Sequence, residues 1–246
     1  MRQARFFAGV VLAAGVSSGA AAQGNGPGFL FGPPRGAVTI RTGWSLASAG
    51  SDVFSFTTNQ LTLDRRDFSG AMLSVDATWR VLPRTELVAS AGITATVKRS
   101  EFRDFVDNNE LPIEQSTEFA RAPLTIGLRQ NLGGTGRQVG RFAWVPSRVT
   151  PFVGAGAGVM YYRFKQYGDF IDFATMDVFP SQFVSEGWTP TAYASAGVDY
   201  SLSARIGLTA EGRYHWARAN LSRDFSGFDK IDLAGLATTV GVSIRY

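Results

Sequence analysis

Apolar side chains recur at every second position through eight stretches of this chain, with small or polar side chains between them. A two-residue period belongs to β-strands whose two faces meet different surroundings. In the first stretch, about 37–46, Val38, Ile40, Trp44 and Leu46 share one face while Thr39, Arg41, Gly43 and Ser45 share the other. In the second, 69–81, Ala71, Leu73, Val75, Ala77 and Trp79 oppose Ser74, Asp76, Thr78 and Arg80. The third, 86–97, sets Leu87, Ala89, Ala91, Ile93 and Ala95 against Glu86, Ser90, Thr94 and Thr96. The fourth, 119–131, sets Ala120, Ala122, Leu124, Ile126 and Leu128 against Arg121, Thr125 and Arg129, and Pro123 removes one ladder donor from it. The fifth, 150–164, alternates Val153, Ala155, Ala157, Val159 and Tyr161 with Gly154, Gly156 and Gly158, which leave room for large side chains across a narrow interior. Stretches at 191–202 and 206–216, and a last one from Ile231 onward, complete the set.

Turns at 83–85 and 203–205 are so short that the strands they join must be antiparallel neighbours. Long connections at 48–67, 101–117, 168–190 and 220–230 alternate with them. An even strand count, with both chain ends on the side of the short turns, predicts an all-β fold, an eight-stranded antiparallel transmembrane β-barrel. The connection 132–148 is the misfit. It is long where a short turn belongs, carries Phe142, Trp144 and Pro146, and is expected to be an insertion or a plug-like segment. The outward aromatics fall into two bands: Trp79, Tyr200 and Tyr246 at the end with short turns, and Trp44, Tyr161, Tyr214 and Trp216 at the other. Amphipathic rings collect at membrane interfaces, so these bands predict two girdles around a lipid-facing surface. A soluble barrel would bury its apolar face and have no reason to band its aromatics.

Composition fits this picture. A mean hydropathy of +0.00 with 28 glycines and 13% aromatics suits a barrel whose alternation keeps every window from looking hydrophobic. Arg2 and Arg5, the apolar run from Phe6 to Val16, and Ala20-Ala21-Ala22 read as a secretory leader over 1–22, cleaved before Gln23. The run is too short to cross a bilayer as a helix. A Gly- and Pro-rich periplasmic lead-in occupies 23–35, and the barrel takes 36–246. Loss of the two leader arginines brings the formal charge of +4 toward zero, so the basic balance is no argument for nucleic acid. Absence of cysteine excludes a lipid-modified anchor and a disulfide framework.

The last strand carries the most specific signal. Thr239, Gly241, Ile244 and Tyr246 place a polar residue, a glycine, and two apolar or aromatic residues spaced by one at the end of the chain. This resembles the C-terminal assembly signal of bacterial outer-membrane β-barrels. From about residue 36 to 246 the chain resembles the small outer-membrane barrel superfamily that includes the OmpA transmembrane domain, OmpX and OmpW. The resemblance implies residence in the outer membrane, contact with its lipid and lipopolysaccharide, insertion by the barrel-assembly machinery with periplasmic chaperones, and a monomer. It implies a structural, envelope-integrity or surface-interaction role, or passage of small solutes as the alternative. Unlike in OmpA, no peptidoglycan-binding domain is expected after the barrel.

The inward faces collect Arg41, Asp76, Arg80, Glu86, Lys98, Arg121, Arg129, Asp199, Glu211, Arg213, His215 and Arg245. An eight-stranded barrel is just wide enough for side chains to fill it, so these groups are expected to pair into a salt-bridged polar core. His215 shares its face with Glu211 and Arg213. In lipid A deacylases of this architecture a serine follows the histidine by two residues; Ala217 stands there, and no catalytic residue, cofactor or metal site is assigned. The glycines at 133–136 lack the flanking residues of a phosphate loop. Asp104, Asp107, Glu110 and Glu114, and Asp169, Asp172 and Asp177, meet no calcium-loop spacing and read as solvated loops. Arg99, Arg163, Arg218 and Arg223 fall near outer strand ends, where guanidinium groups can meet lipopolysaccharide phosphates.

Overall fold

A computed structural model describes residues 29–107, 110–140, 142–172, 175 and 177–246; the leader assigned to 1–22 and most of the lead-in lie outside the described residues. Its barrel strands are β1 (Gly36–Ala47), β2 (Gly70–Leu82), β3 (Thr85–Val106), β4 (Pro112–Asn131), β7 (Val149–Ile171), β8 (Val178–Ser201), β9 (Ile206–Ala219) and β11 (Gly235–Arg245). Each pairs antiparallel with the next, and β11 returns to β1, so the sheet closes into a ring of eight with no free edge through the membrane. Between them lie a helix α1 (Asp52–Gln60), a hairpin β5 (Gly136–Val139) and β6 (Ala143–Pro146), and a two-residue strand β10 (Ile231–Asp232).

The alternation read from the sequence sets which side chains face out. Ile40, Leu73, Val75, Leu124, Ile126, Leu128, Val240 and Ile244 are exposed on the outer wall, while Thr39, Asp76, Thr78 and Thr125 on the same strands, and Ser90 on β3, are buried inside. Pro123 is accommodated with Met160 as its partner on β7, while the ladder from β3 to β4 breaks between Leu124 and Arg121. That gap is the cost of the missing N–H.

Two hairpins differ from expectation. The segments 101–117 and 168–190, read as loops, are mostly strand. β3, β4, β7 and β8 run 22, 20, 23 and 24 residues, about twice the 9–11 residues that a tilted strand needs to cross a bilayer. β7 and β8 stay in register from Val149↔Tyr200 to Ile171↔Val178, so their backbone donors and acceptors remain satisfied well above the lipid. Outward positions there turn from apolar to charged, at Arg99, Glu101, Glu114, Glu118, Arg163, Lys165 and Asp169. The four long strands thus form a crest standing on one side of the outer mouth.

The connection 132–148 becomes the β5–β6 hairpin. Its Trp144 is buried, and Leu30 of the lead-in pairs with it, each N–H donating to the other's carbonyl at 3.0 and 2.8 Å. The insertion therefore folds against the lead-in at the periplasmic end and lines the lower lumen.

Candidate functional site

The lumen is filled in three layers. In the middle, Arg41 from β1 pairs with Asp76 on β2 and, across β11, with Glu211 on β9. Arg213 binds Glu211 at 2.6 Å and reaches Asp76 at 3.3 Å. Ser90 on β3 donates to Asp76 at 2.6 Å and accepts from Arg213 at 2.7 Å. All five side chains are buried. Two guanidinium groups and two carboxylates cancel in charge and span strands β9, β11, β1, β2 and β3. A buried ion pair offsets its desolvation only when the remaining donors and acceptors are also bonded. Ser90 and the doubly used carboxylates supply much of that here. Gly241 lets the network form: a Cβ there would sit 2.4 Å from Arg41 Cγ, so the glycine of the terminal strand gives the arginine its passage. Likewise a Cβ at Gly156 would sit 2.7 Å from Tyr193 Cε1, and Tyr193 in turn lies under the Arg213 guanidinium at 4.5 Å.

Nearer the periplasm, Arg129 pairs with Asp199 and, at 3.4 Å, with Glu86, while its guanidinium lies 3.7 Å over the Phe152 ring. Thr209 donates to the second Asp199 oxygen at 2.7 Å. Arg80 and Arg245 are close by, lining a cavity of ≈ 50 Å³ with these groups. Arg121 sits apart, near the top, where it donates to the Leu233 and Ala234 carbonyls at 3.0 and 3.2 Å and to Ser45 at 2.9 Å.

The outer third of the lumen is apolar, which the expected polar core did not include. α1 lowers Val53 and Phe54 into the mouth, where Phe54 is 0% exposed and meets Phe68, Phe119 and Phe164 at centroid distances of 4.7, 5.3 and 5.6 Å, all edge-on. Met160 and Tyr162 from β7, Ala217 from β9, and Phe225, Ile231 and Leu233 from the last outer connection complete the cluster. Aromatic edges and aliphatic groups at this density exclude water and close the barrel from above. Polar ties hold the helix in place: Gln166 donates to Thr57 at 3.3 Å and Arg103 to the Leu61 carbonyl at 2.8 Å. Lys98 is at the rim, half exposed and 3.4 Å from Asp67.

His215 is buried beside Tyr193, ring centroids 5.7 Å apart, and neither imidazole nitrogen has a hydrogen-bond partner among the described residues. Glu211 is turned to Arg41 and Arg213 instead. The two residues that shared a face in the sequence are thus not joined by a hydrogen bond.

On the outer wall, Trp79, Tyr200 and Tyr246 lie at the periplasmic strand ends, and Trp44, Tyr161, Tyr214 and Trp216 lie toward the outer ends. Trp188, in the segment 168–190 expected to be a loop, is 63% exposed directly opposite Tyr161 with ring centroids 5.5 Å apart. Just above it Arg163 is held by Glu186 at 3.6 Å and Glu118 at 4.0 Å, while Arg99, Arg218 and Arg223 are exposed. No group of three or more metal-ligating side chains occurs among the described residues. In the last strand Thr239 faces the lumen and Ile244 and Tyr246 face outward. The closed ring, the apolar wall and the two aromatic bands are those of an integral membrane β-barrel.

No family model matches the sequence, and no curated protein matches it in sequence. Among solved structures, the neisserial surface protein NspA is similar at 11% identity, over 86% of this chain and 96% of that one, with a TM-score of 0.44. OprG of Pseudomonas aeruginosa is similar at 15% identity, over 88% of this chain and 99% of that one, with a TM-score of 0.48. Ail of Yersinia pestis, solved with a heparin analogue, is similar at 11% identity, over 86% and 99%, with a TM-score of 0.39.

Proposed function

We propose that this barrel is a sealed, non-catalytic scaffold of the outer membrane that stiffens the envelope and presents its crest at the cell surface. The observation that carries the reading is closure at successive levels: the apolar plug around Phe54, the Arg41–Asp76–Arg213–Glu211 quartet, and the hairpin bearing Trp144. A lumen so filled offers small solutes no continuous path, which sets the alternative, a narrow channel, below it. A lipid-modifying activity would need His215 beside a serine and a carboxylate. Its nitrogens have no partner among the described residues, and its nearby carboxylate serves two arginines.

Lipid and lipopolysaccharide are the surroundings this wall fits. Delivery by periplasmic chaperones and insertion by the barrel-assembly machinery belong to the same proposal, supported by the terminal strand Thr239, Gly241, Ile244 and Tyr246. A monomer is part of it as well, since the closed ring leaves no strand edge to pair within the membrane.

The test uses the chain's lack of cysteine. Cysteines placed at Glu110 and Asp177, at the crest tips, are expected to react with a membrane-impermeant maleimide on intact cells, and one at Arg137 only after permeabilisation. In a strain lacking the protein, a barrel whose crest is shortened to tight turns should restore detergent resistance but not surface contact. Labelling of Arg137→Cys on intact cells, or detergent resistance that is the same with and without the protein, would overturn the reading.

A further inference from the structure

The lowest layer of the lumen holds more donors than the chain can satisfy. Glu86 and Asp199 are both committed to Arg129, and Asp199 also accepts from Thr209. Arg80 and Arg245 line the same cavity, and neither forms an ion pair among the described residues. Arg80 donates to Thr135 of the hairpin segment at 3.3 Å. Arg245 Nη1 is buried without a partner, and so is Nδ2 of Asn131, a side chain only 1% exposed. Buried polar atoms are almost always bonded, so unmatched donors around a cavity point to something that accepts.

We propose that this cavity is a binding site for a small inorganic oxyanion of the phosphate or sulfate class, held between Arg80, Arg245 and Asn131 beneath the Arg129 ion pairs. Three lines of chemistry converge on that class. The lining carries three arginines against two carboxylates, and both carboxylates are engaged, which leaves a positive excess in a partly dry site. The free groups are directional N–H donors, and guanidinium forks match the oxygens of a tetrahedral oxyanion better than they match a spherical halide. The cavity of ≈ 50 Å³ has room for a group larger than one water. Trp144 and Pro34 also line the cavity, so the hairpin and lead-in enclose the anion from the periplasmic side.

A bound anion would lock the hairpin to the barrel, because Arg80 and Arg245 leave the ends of β2 and β11 while Thr135 and Trp144 belong to the insertion. The same oxygens could be offered by free phosphate or by a lipid headgroup. Enclosure favours the free ion.

The experiment is calorimetric titration of the folded full-length barrel in detergent micelles with sodium phosphate, at fixed ionic strength, with sodium chloride and glycerol phosphate as matched probes. Saturable binding of one phosphate per barrel is expected, with neither chloride nor glycerol phosphate reproducing it. Asn131→Leu and Arg80→Gln should each weaken it by about tenfold or more, since each removes a donor to a charged acceptor, a fully buried one at Asn131 and a part-buried one at Arg80. Both variants should keep the heat-dependent gel shift of a folded barrel, which separates loss of the site from loss of the fold. Absence of saturable heat, an equal response to chloride or glycerol phosphate, or unchanged affinity in both folded variants would overturn the proposal and leave ordered water as the occupant.

Discussion

Arg213 reaches Asp76 at 3.3 Å across the lumen, joining β9 to β2 over the two strands that separate them in the ring. The same Asp76 carboxylate is held by Arg41 and Ser90, so one buried acid anchors groups from three other strands. Removing one member of such a set leaves an uncompensated buried charge, at a cost of about 3–5 kcal/mol. Asp76→Asn or Arg41→Met should therefore lower stability by about that amount in urea titrations of the barrel in lipid vesicles. The quartet is cooperative, so the double variant Arg41→Met/Asp76→Leu should cost clearly less than the sum of its singles. Strict additivity would mean that Arg41 and Asp76 do not stabilise one another.

The apolar plug rests on a helix in the mouth that is not part of the strand ring, and it should open without unfolding the ring. Phe54→Ala removes three edge-on aromatic contacts and is expected to cost about 3–5 kcal/mol locally. Limited proteolysis should then cut within α1 while the boiled and unboiled gel bands stay separated as in the parent. Loss of both together would mean that plug and ring fold as one unit.

Depth along the wall sets the cost of a charge. Ile126, midway down the apolar face of β4, should lose about 2–4 kcal/mol on change to Arg, whereas Val97, just below Arg99, should lose only about 0–1 kcal/mol. Equal costs at the two sites would displace the lipid boundary assigned here.

At the chain's end, the Tyr246 carbonyl accepts from Arg35 at 2.8 Å and from Gly36 at 3.3 Å, and its own N–H donates to Gly36 at 3.0 Å, so its backbone locks the two ends of the barrel. Its side chain points outward, 56% exposed. If that ring is read during assembly, Tyr246→Asp should slow appearance of the heat-shifted band in pulse-chase while leaving the final folded product as heat-stable as the parent. An unchanged rate would remove the assembly role.

The ring itself was legible because lipid on one side and a polar lumen on the other write a two-residue period along every spanning strand. What the period could not convey is where strands stop. Above the lipid both faces of β7 and β8 meet water or the plug and alternation blurs, so the period alone puts Trp188 in a loop although it faces Tyr161. The layering inside was equally hidden: Phe119 occupies a lumen position on the strand that also carries Arg121 and Arg129, Phe164 occupies one on neighbouring β7, and α1, whose nine residues show no strong amphipathic pattern, helps turn those rings into a core. The charges could be gathered on one face from the sequence, yet the pairing of Arg213 with Asp76 as well as with its strand neighbour Glu211 needs the closed ring. Trp144 found its place through Leu30, a contact between two segments that carry no period at all.

The most direct measurement is single-channel recording from the purified full-length barrel in planar bilayers. A lumen closed by the Phe54 plug, the Asp76 quartet and the Trp144 hairpin should pass no discrete current steps, before or after substitution of Arg213. Discrete openings whose size changes when Arg213 or Arg129 is replaced would contradict a sealed scaffold and establish an ion path along the very charges described here as its closure.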